Sequence, residues 1–169
     1  MISIIDNFFS PRQLKLVSDQ LKLLPFYTDS DHPENSSSAY PGTRTEELVR
    51  ANPLLESFIT RQLERTQLPQ VTRPFHLKQY GHLRLESDNK DDFIHQDPDC
   101  DWAYLFYLSE TNLSSGTKFY VDDKEHTFAR FLQNRLVIFD SGISHRAWEN
   151  HGKDLNDGRL TINGFANYI

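Results

Sequence analysis

The sequence predicts a mainly-β (α+β) domain, a closed antiparallel sandwich or jelly roll with two N-terminal helices packed on one sheet. Three observations carry this prediction. From residue 74 onward about eight short apolar runs recur at roughly 8–12-residue spacing, and turn residues separate them. Helix-start signals are confined to the first 70 residues. One run, Trp102–Leu108, is apolar on both faces, as a strand is when helices cover the outside of its sheet.

The first helix begins at Ser10-Pro11-Arg12-Gln13. This combines an N-cap, proline at the first helical position and a capping-box glutamine, ahead of Leu14, Val17, Leu21 and Leu24 at helical spacing. Residues 28–47 are polar and broken by Pro33, Pro41 and Gly42, and a loop this long suggests a lid or binding loop. A second helix starts at Asn52-Pro53 and runs through Leu54, Leu55, Phe58, Ile59 and Leu63 towards Pro69.

The expected strands are 74–86, 92–97, 102–109, 117–121, 126–131, 135–140, 143–149 and 159–168. Turns are expected at Ser87–Asn89, Ser114–Gly116, Asp122-Asp123, Gln133-Asn134, Ser141-Gly142 and Asn156–Gly158. In Trp102–Leu108, Ala103, Leu105 and Tyr107 would line an interior while Tyr104, Phe106 and Leu108 face the other way. The whole chain, 1–169, reads as one domain: residues 1–70 give helical support and a loop, and 71–169 the jelly-roll core.

Composition narrows the function. No apolar run approaches the ~20 residues of a membrane span. MISIIDNFFS carries an acid where a secretion signal needs basic residues, so a cytoplasmic location without membrane attachment is expected. The lone Cys100 excludes an internal disulfide and a thiolate metal cage. Eighteen basic against 24 acidic residues give a net charge of −6, with no Lys/Arg run, which argues against nucleic acid as a partner.

The residues that carry chemistry are His95 and Asp97 in FIHQDPD, and His145 in IFDSGISHRAW. Two positions apart on a strand, His95 and Asp97 project from one face while Gln96 points away. Pro98 then ends the strand, and His145 follows a second apolar run, Leu136–Phe139, and a Ser-Gly turn. Two imidazoles and one carboxylate form the facial set that holds non-haem Fe(II) and leaves positions open for substrate and O₂. The competing histidines lack a matched second element. His32 and Glu34 lie in the polar loop, His126 and His151 read as surface residues, and His76 and His82 are able to line a pocket.

The matched second element is Arg159, which opens the last strand and shares a face with Thr161, Asn163 and Phe165. An arginine facing inward is costly without a carboxylate partner, and its planar fork suits the distal end of a keto-diacid.

Together these residues resemble the Fe(II)/2-oxoglutarate-dependent oxygenases, especially the prolyl-4-hydroxylase-like branch and its small bacterial and phage members. The resemblance spans residues 74–168 and rests on His95-Gln-Asp97, Leu105–Leu108, Ser115-Gly116-Thr117, His145 and Arg159-Leu-Thr-Ile. It implies a double-stranded β-helix, the cupin-like jelly roll. It implies Fe(II) on His95, Asp97 and His145, with 2-oxoglutarate as cosubstrate, O₂ as oxidant and ascorbate as candidate reductant. Tyr107 would bond the cosubstrate carboxylate beside Arg159, with Tyr80 an alternative and Thr161 on the same face. Two departures stand out. The interval from His145 to Arg159 is longer than usual, the excess falling in the polar stretch 149–158, expected as a hairpin insertion. The turn carries Ser115-Gly116 in place of two glycines.

The implied activity is hydroxylation of a peptidyl-prolyl side chain, a free amino acid or a small metabolite, with release of succinate and CO₂. The intact Asp97 argues against the halogenase variant, in which that carboxylate is lost. The rival reading is a non-catalytic cupin-like module that binds a metal, ligand or protein without turnover. The loops 28–47, with Tyr40, Arg44 and Thr45, and 84–92 are expected to wall the mouth of the site. Oligomeric state is left open.

Overall fold

The computed structural model of the protein describes residues 1–34 and 40–169. In chain order the elements are β1 (Ile2–Ile5), α1 (Pro11–Lys22), β2 (Thr43–Arg44), α2 (Leu48–Ala51), α3 (Pro53–Glu64), β3 (Phe75–Arg84), β4 (Trp102–Tyr107), β5 (Asn112–Val121), β6 (Lys124–Phe131), β7 (Arg135–Asp140), β8 (Ser144–Trp148) and β9 (Arg159–Tyr168).

Both predicted helices form for the reasons the sequence gives. Ser10 accepts from the Gln13 N–H while the Gln13 side chain accepts from the Ser10 N–H, a complete capping box with Pro11 at the first helical position. Asn52 caps α3 through the Leu55 N–H. The stripe Leu55, Ile59 and Leu63, one residue per turn, is buried, as are Val17 and Leu21 of α1. Each such side chain stabilises the fold by roughly 1.5–3 kcal/mol.

The strands form two antiparallel sheets, ordered β1-β7-β4-β9-β3-β2 and β6-β5-β8. Alternation along the strands of the large sheet generates two cores. Tyr104, Phe106, Leu136, Ile138, Leu160 and Ile162 face α1 and α3. Ala103, Leu105, Tyr107, Val137 and Phe139 face Phe119, Ala129 and Phe131 of the small sheet. The apolar-on-both-faces pattern of β4 therefore has the predicted cause: all six of its residues are buried. The helix-side layer is tightly fitted. A Cβ at Gly164 would lie 1.9 Å from the Tyr104 ring, so glycine lets that ring cross β9 and donate its hydroxyl to Gln79 at 2.6 Å.

Several expectations are corrected. β1 and β2 are edge strands, pairing β7 and β3 respectively, where the sequence reading placed helical support and loop. The expected strand 92–97 reduces to one bridge, His95 with His145, because a 3-10 segment, Glu86–Asp91, precedes it and Pro98 follows it. The expected turn Ser114–Gly116 lies inside β5 as a bulge, where the register with β6 slips between Asn112 and Gly116. A Cβ at Gly116 would meet the Ala129 carbonyl at 2.2 Å, so the second glycine of the family pattern is dispensable while this one is not. Residues 149–158 form no strand pair. The Asp157 carboxylate gathers the Lys153 and Asp154 N–H groups at 2.7 and 3.0 Å. Asp122 and Asp123, both at positive φ, make the tight β5–β6 hairpin turn. No helix among the described residues is long and apolar enough to cross a membrane.

Candidate metal centre

The jelly roll brings His95, Asp97 and His145 together. β8 places His145 opposite Phe119 of β5, and its backbone exchanges two hydrogen bonds with His95, at 2.9 and 2.8 Å. Directly opposed residues of an antiparallel pair share a face, so both imidazoles project the same way, ring centroids 4.4 Å apart. Two residues on, Asp97 returns to that face, anchored by its N–H to the Ser141 carbonyl at 3.1 Å. Its Oδ2 stands 3.5 Å from His145 Nε2. The three ligand atoms lie within 4.8 Å of one another.

The tautomers follow from the bonds on the other ring nitrogen. His95 Nδ1 meets the Phe93 carbonyl at 3.1 Å and His145 Nδ1 meets the Ile143 carbonyl at 3.0 Å. A carbonyl only accepts, so each Nδ1 carries the proton and each Nε2 keeps its lone pair, the form a metal requires. Burial pushes the His145 imidazole down to about 4 and also lowers His95, which faces His145. Burial raises Asp97, an effect His95 partly offsets. The set is thus two neutral imidazoles and a desolvated carboxylate, a site whose missing complement is positive charge.

This has a consequence for stability. An unfolded histidine titrates near 6.5, whereas folded His145 titrates at about 4. Between these values the unfolded chain binds the extra proton, so the metal-free protein loses stability as pH falls from 6.5 to 4, by on the order of 3 kcal/mol from this group. Asp97, raised in the fold, acts in the opposite direction above the usual carboxylate range. Denaturant midpoints at pH 7 and pH 4.5 measure the effect, and His145→Gln should flatten the difference.

Arg159 is 3% exposed and faces the small sheet. One Nη donates to the Gly116 carbonyl at 3.3 Å and to Thr117 Oγ1 at 3.2 Å, and the guanidinium lies over the Tyr107 and Phe131 rings. Its Nε has no partner, and among the described residues no carboxylate pairs with it. Burial lowers it to about 10, and the nearby Arg84 adds to that. Tyr107 stacks on Phe131 and donates to Thr117 Oγ1 at 2.8 Å. Thr161, fully buried, donates to Asn163 at 2.7 Å. Tyr80 is placed differently, against Arg44 and Phe165.

A cavity of about 600 Å³ opens onto His95 and Asp97. Tyr40, Pro41 and Arg44 from one expected wall and Arg84 from the other line it. Thr45 does not. It is buried, its hydroxyl accepting the Gly81 N–H at 3.0 Å, a packing role. Of the competing histidines, His32 is buried and bonded to the Thr45 carbonyl, and His151 packs edge-on against Phe131. His76 is exposed, while His82 lines the cavity and holds the Pro41 carbonyl at 2.9 Å. The sequence reading passed over Arg84. It is buried, ion-paired with Asp92 and in register with Arg159, and Asn150 also bonds Asp92 at 2.7 Å. Its even spacing from Tyr80 and His82 on one strand was the available signal.

No family model and no curated protein matches the sequence. Solved structures do match. A prolyl-4-hydroxylase from Pseudomonas putida superimposes with a TM-score of 0.66 at 14% identity, covering 99% of this chain and 92% of that one. HygX from Streptomyces hygroscopicus, solved with nickel and 2-oxoglutarate, gives 0.70 at 12% identity, covering 98% and 82%. An oxidoreductase of the 2OG-Fe(II) oxygenase family from Burkholderia pseudomallei gives 0.69 at 11% identity, covering 98% and 84%. At these identities the likeness is one of fold: this chain has the mainly-β jelly roll of those oxygenases.

Proposed function

We propose that the protein is an Fe(II)- and 2-oxoglutarate-dependent dioxygenase that hydroxylates a small-molecule or peptide substrate and releases succinate and CO₂. The observation that carries this reading is the conjunction of the three convergent ligand atoms with a buried arginine that has no acid partner among the described residues. The neighbour solved with nickel and 2-oxoglutarate supports the same pairing of metal and keto-diacid on this fold.

In this reading His95, Asp97 and His145 hold the iron, and the distal carboxylate of 2-oxoglutarate meets Arg159. The residues fit both groups. Each imidazole is locked by its Nδ1 bond with Nε2 unprotonated, and Asp97 supplies one negative charge. Arg159 offers an unpartnered Nε beside Tyr107 and Thr117, and a carboxylate there would relieve its burial cost. Tyr107, Thr161 and Tyr80 share one face of the large sheet, and Tyr80, packed on Arg44, lies on the substrate side of it. When bound, iron and 2-oxoglutarate supply the oxidising power, with O₂ as oxidant and ascorbate as reductant. The protein's own work is to orient these groups and exclude water. Phe119 and Phe139 do the latter around His145, with ring centroids 5.9 and 4.6 Å from it.

The chain 1–169 is proposed to act as a single catalytic domain. Aerobic incubation with Fe(II), ascorbate and 2-oxoglutarate should give slow succinate release even without substrate, and none from His145→Ala. Wild-type protein that makes no succinate above the variant would favour the non-catalytic module instead.

A further inference from the structure

The cavity wall carries a second guanidinium, Arg44, with no ion-pair partner among the described residues. Arg44 sits on β2, which is tied on both sides: its N–H and carbonyl exchange bonds with Tyr27 at 2.9 and 2.8 Å, and it is in register with His82 of β3. The turn before it is equally constrained. Gly42 has φ +82, and a Cβ there would meet the Leu83 carbonyl at 2.4 Å. The backbone under Arg44 is therefore built into the sheet edge and is not a swinging loop.

The side chain is held just as firmly. Its guanidinium carbon lies 4.0 Å from the centroid of the Tyr40 ring and 4.7 Å from that of Tyr80. Tyr40 is braced in turn by His82, edge-on at 5.7 Å, and by its hydroxyl bond to the Tyr27 carbonyl at 3.2 Å. Burial pushes the Tyr80 phenol up to about 12 and raises Tyr40, so neither ring supplies a phenolate. No carboxylate pairs with Arg44 among the described residues, although Asp29, Glu34 and Glu47 act at longer range on the Tyr40 and Tyr80 phenols. The nearby Glu34 is already engaged. Its Oε1 accepts the Glu47 N–H at 2.8 Å and faces Arg50 at 3.9 Å. Arg44 Nε is buried and has no hydrogen-bond partner.

A rigid, stacked and unpaired guanidinium on a pocket wall is an anion receptor, because its fork matches a carboxylate bidentately and its ordering has already been met by the fold. The remaining lining sorts accordingly. Phe93, Pro98 and Phe165 give an apolar flank beside the ligand set, and Lys78 adds positive charge at the rim.

We propose that Arg44, clamped between Tyr40 and Tyr80, anchors a carboxylate of the substrate, so that the substrate is an organic acid whose apolar portion lies beside His95 and Asp97. This rests on the reading of those residues as part of the iron site. It disfavours an internal peptidyl side chain, which brings no carboxylate of its own.

The test is calorimetric titration of the protein loaded anaerobically with Mn(II) and saturated with 2-oxoglutarate, so that the metal and Arg159 are already occupied. The probes are benzoate and N-acetylproline, their amides benzamide and N-acetylprolinamide, and an amidated, acid-free proline-rich pentapeptide. At least one acid should bind at least tenfold more tightly than its amide, and Arg44→Gln should bring that acid down to the level of the amide. Arg44→Lys, which keeps the charge and loses the fork, should fall between. Equal binding of acid and amide by the wild type, or no saturable binding of either acid, overturns the proposal whatever the variants do. So does tight binding of the pentapeptide alone, which would assign the cavity to a peptide. Anaerobic addition of Fe(II) and 2-oxoglutarate, read by the visible charge-transfer band of the iron–keto-acid complex, separates the two levels: a wild type that forms the band but does not discriminate acids from amides lacks only the proposed substrate anchor.

Discussion

Asp97→Ala and His145→Ala are each expected to abolish turnover and to weaken iron binding by more than about 10²-fold while the chain still folds. The magnitude follows from what is removed. Loss of an outer-shell partner already costs roughly 10–100-fold in metal affinity, and these residues supply two of the three donor atoms within 4.8 Å. Folding is expected to survive because the metal-free site is a liability. Asp97 is a desolvated carboxylate with neutral imidazoles for neighbours, and deleting such a charge is neutral or stabilising. Metal titration followed by calorimetry, with a thermal melt of each variant, measures both halves. Wild-type affinity in either variant would remove that residue from the iron site, and unfolding would mean that the trio is chiefly structural.

Arg159→Met should raise the dissociation constant for 2-oxoglutarate by roughly 10–150-fold, the 1.5–3 kcal/mol of hydrogen bonds to a charged group. The same substitution should leave the free protein as stable as before or more so. Arg159 is 3% exposed, its Nε is orphaned, and its hydrogen-bond partners are a carbonyl and a hydroxyl. An apolar side chain of similar volume avoids that cost. Gain in stability together with loss of affinity is the signature of a residue kept for its ligand. Chemical denaturation and equilibrium binding of 2-oxoglutarate test the two arms. A destabilised variant with unchanged affinity would make Arg159 a packing residue.

Local rules were enough where an element's signal lies within its own residues. The α1 capping box is written in Ser10-Pro11-Arg12-Gln13, and the two faces of β4 in its alternation. The ligand trio was legible because two-residue spacing returns Asp97 to the face of His95, although only a single bridge forms there, and because the two late residues, His145 and Arg159, are strand-bound. What escaped is defined by partners far away in sequence. β1 and β2, four and two residues long, are strands only because β7 and β3 pair with them. Alternation along β3 could place Arg84 inward, but its buried ion pair with Asp92, beyond the end of that strand, has no such signal. The outer face of the small sheet gathers Lys118, Arg146 and Arg130 over Trp148 and Phe128, although the sequence has no basic run. Pairing between strands assembles that group.

His95, Asp97 and His145 are proposed to hold iron where 2-oxoglutarate reaches both the metal and Arg159. Anaerobic addition of Fe(II) and then 2-oxoglutarate tests this proposal most directly. The expected result is a visible charge-transfer band that appears only when both are present, is absent in His145→Ala, and needs much more 2-oxoglutarate in Arg159→Met. A wild-type protein that binds Fe(II) yet gives no band at saturating 2-oxoglutarate would contradict it.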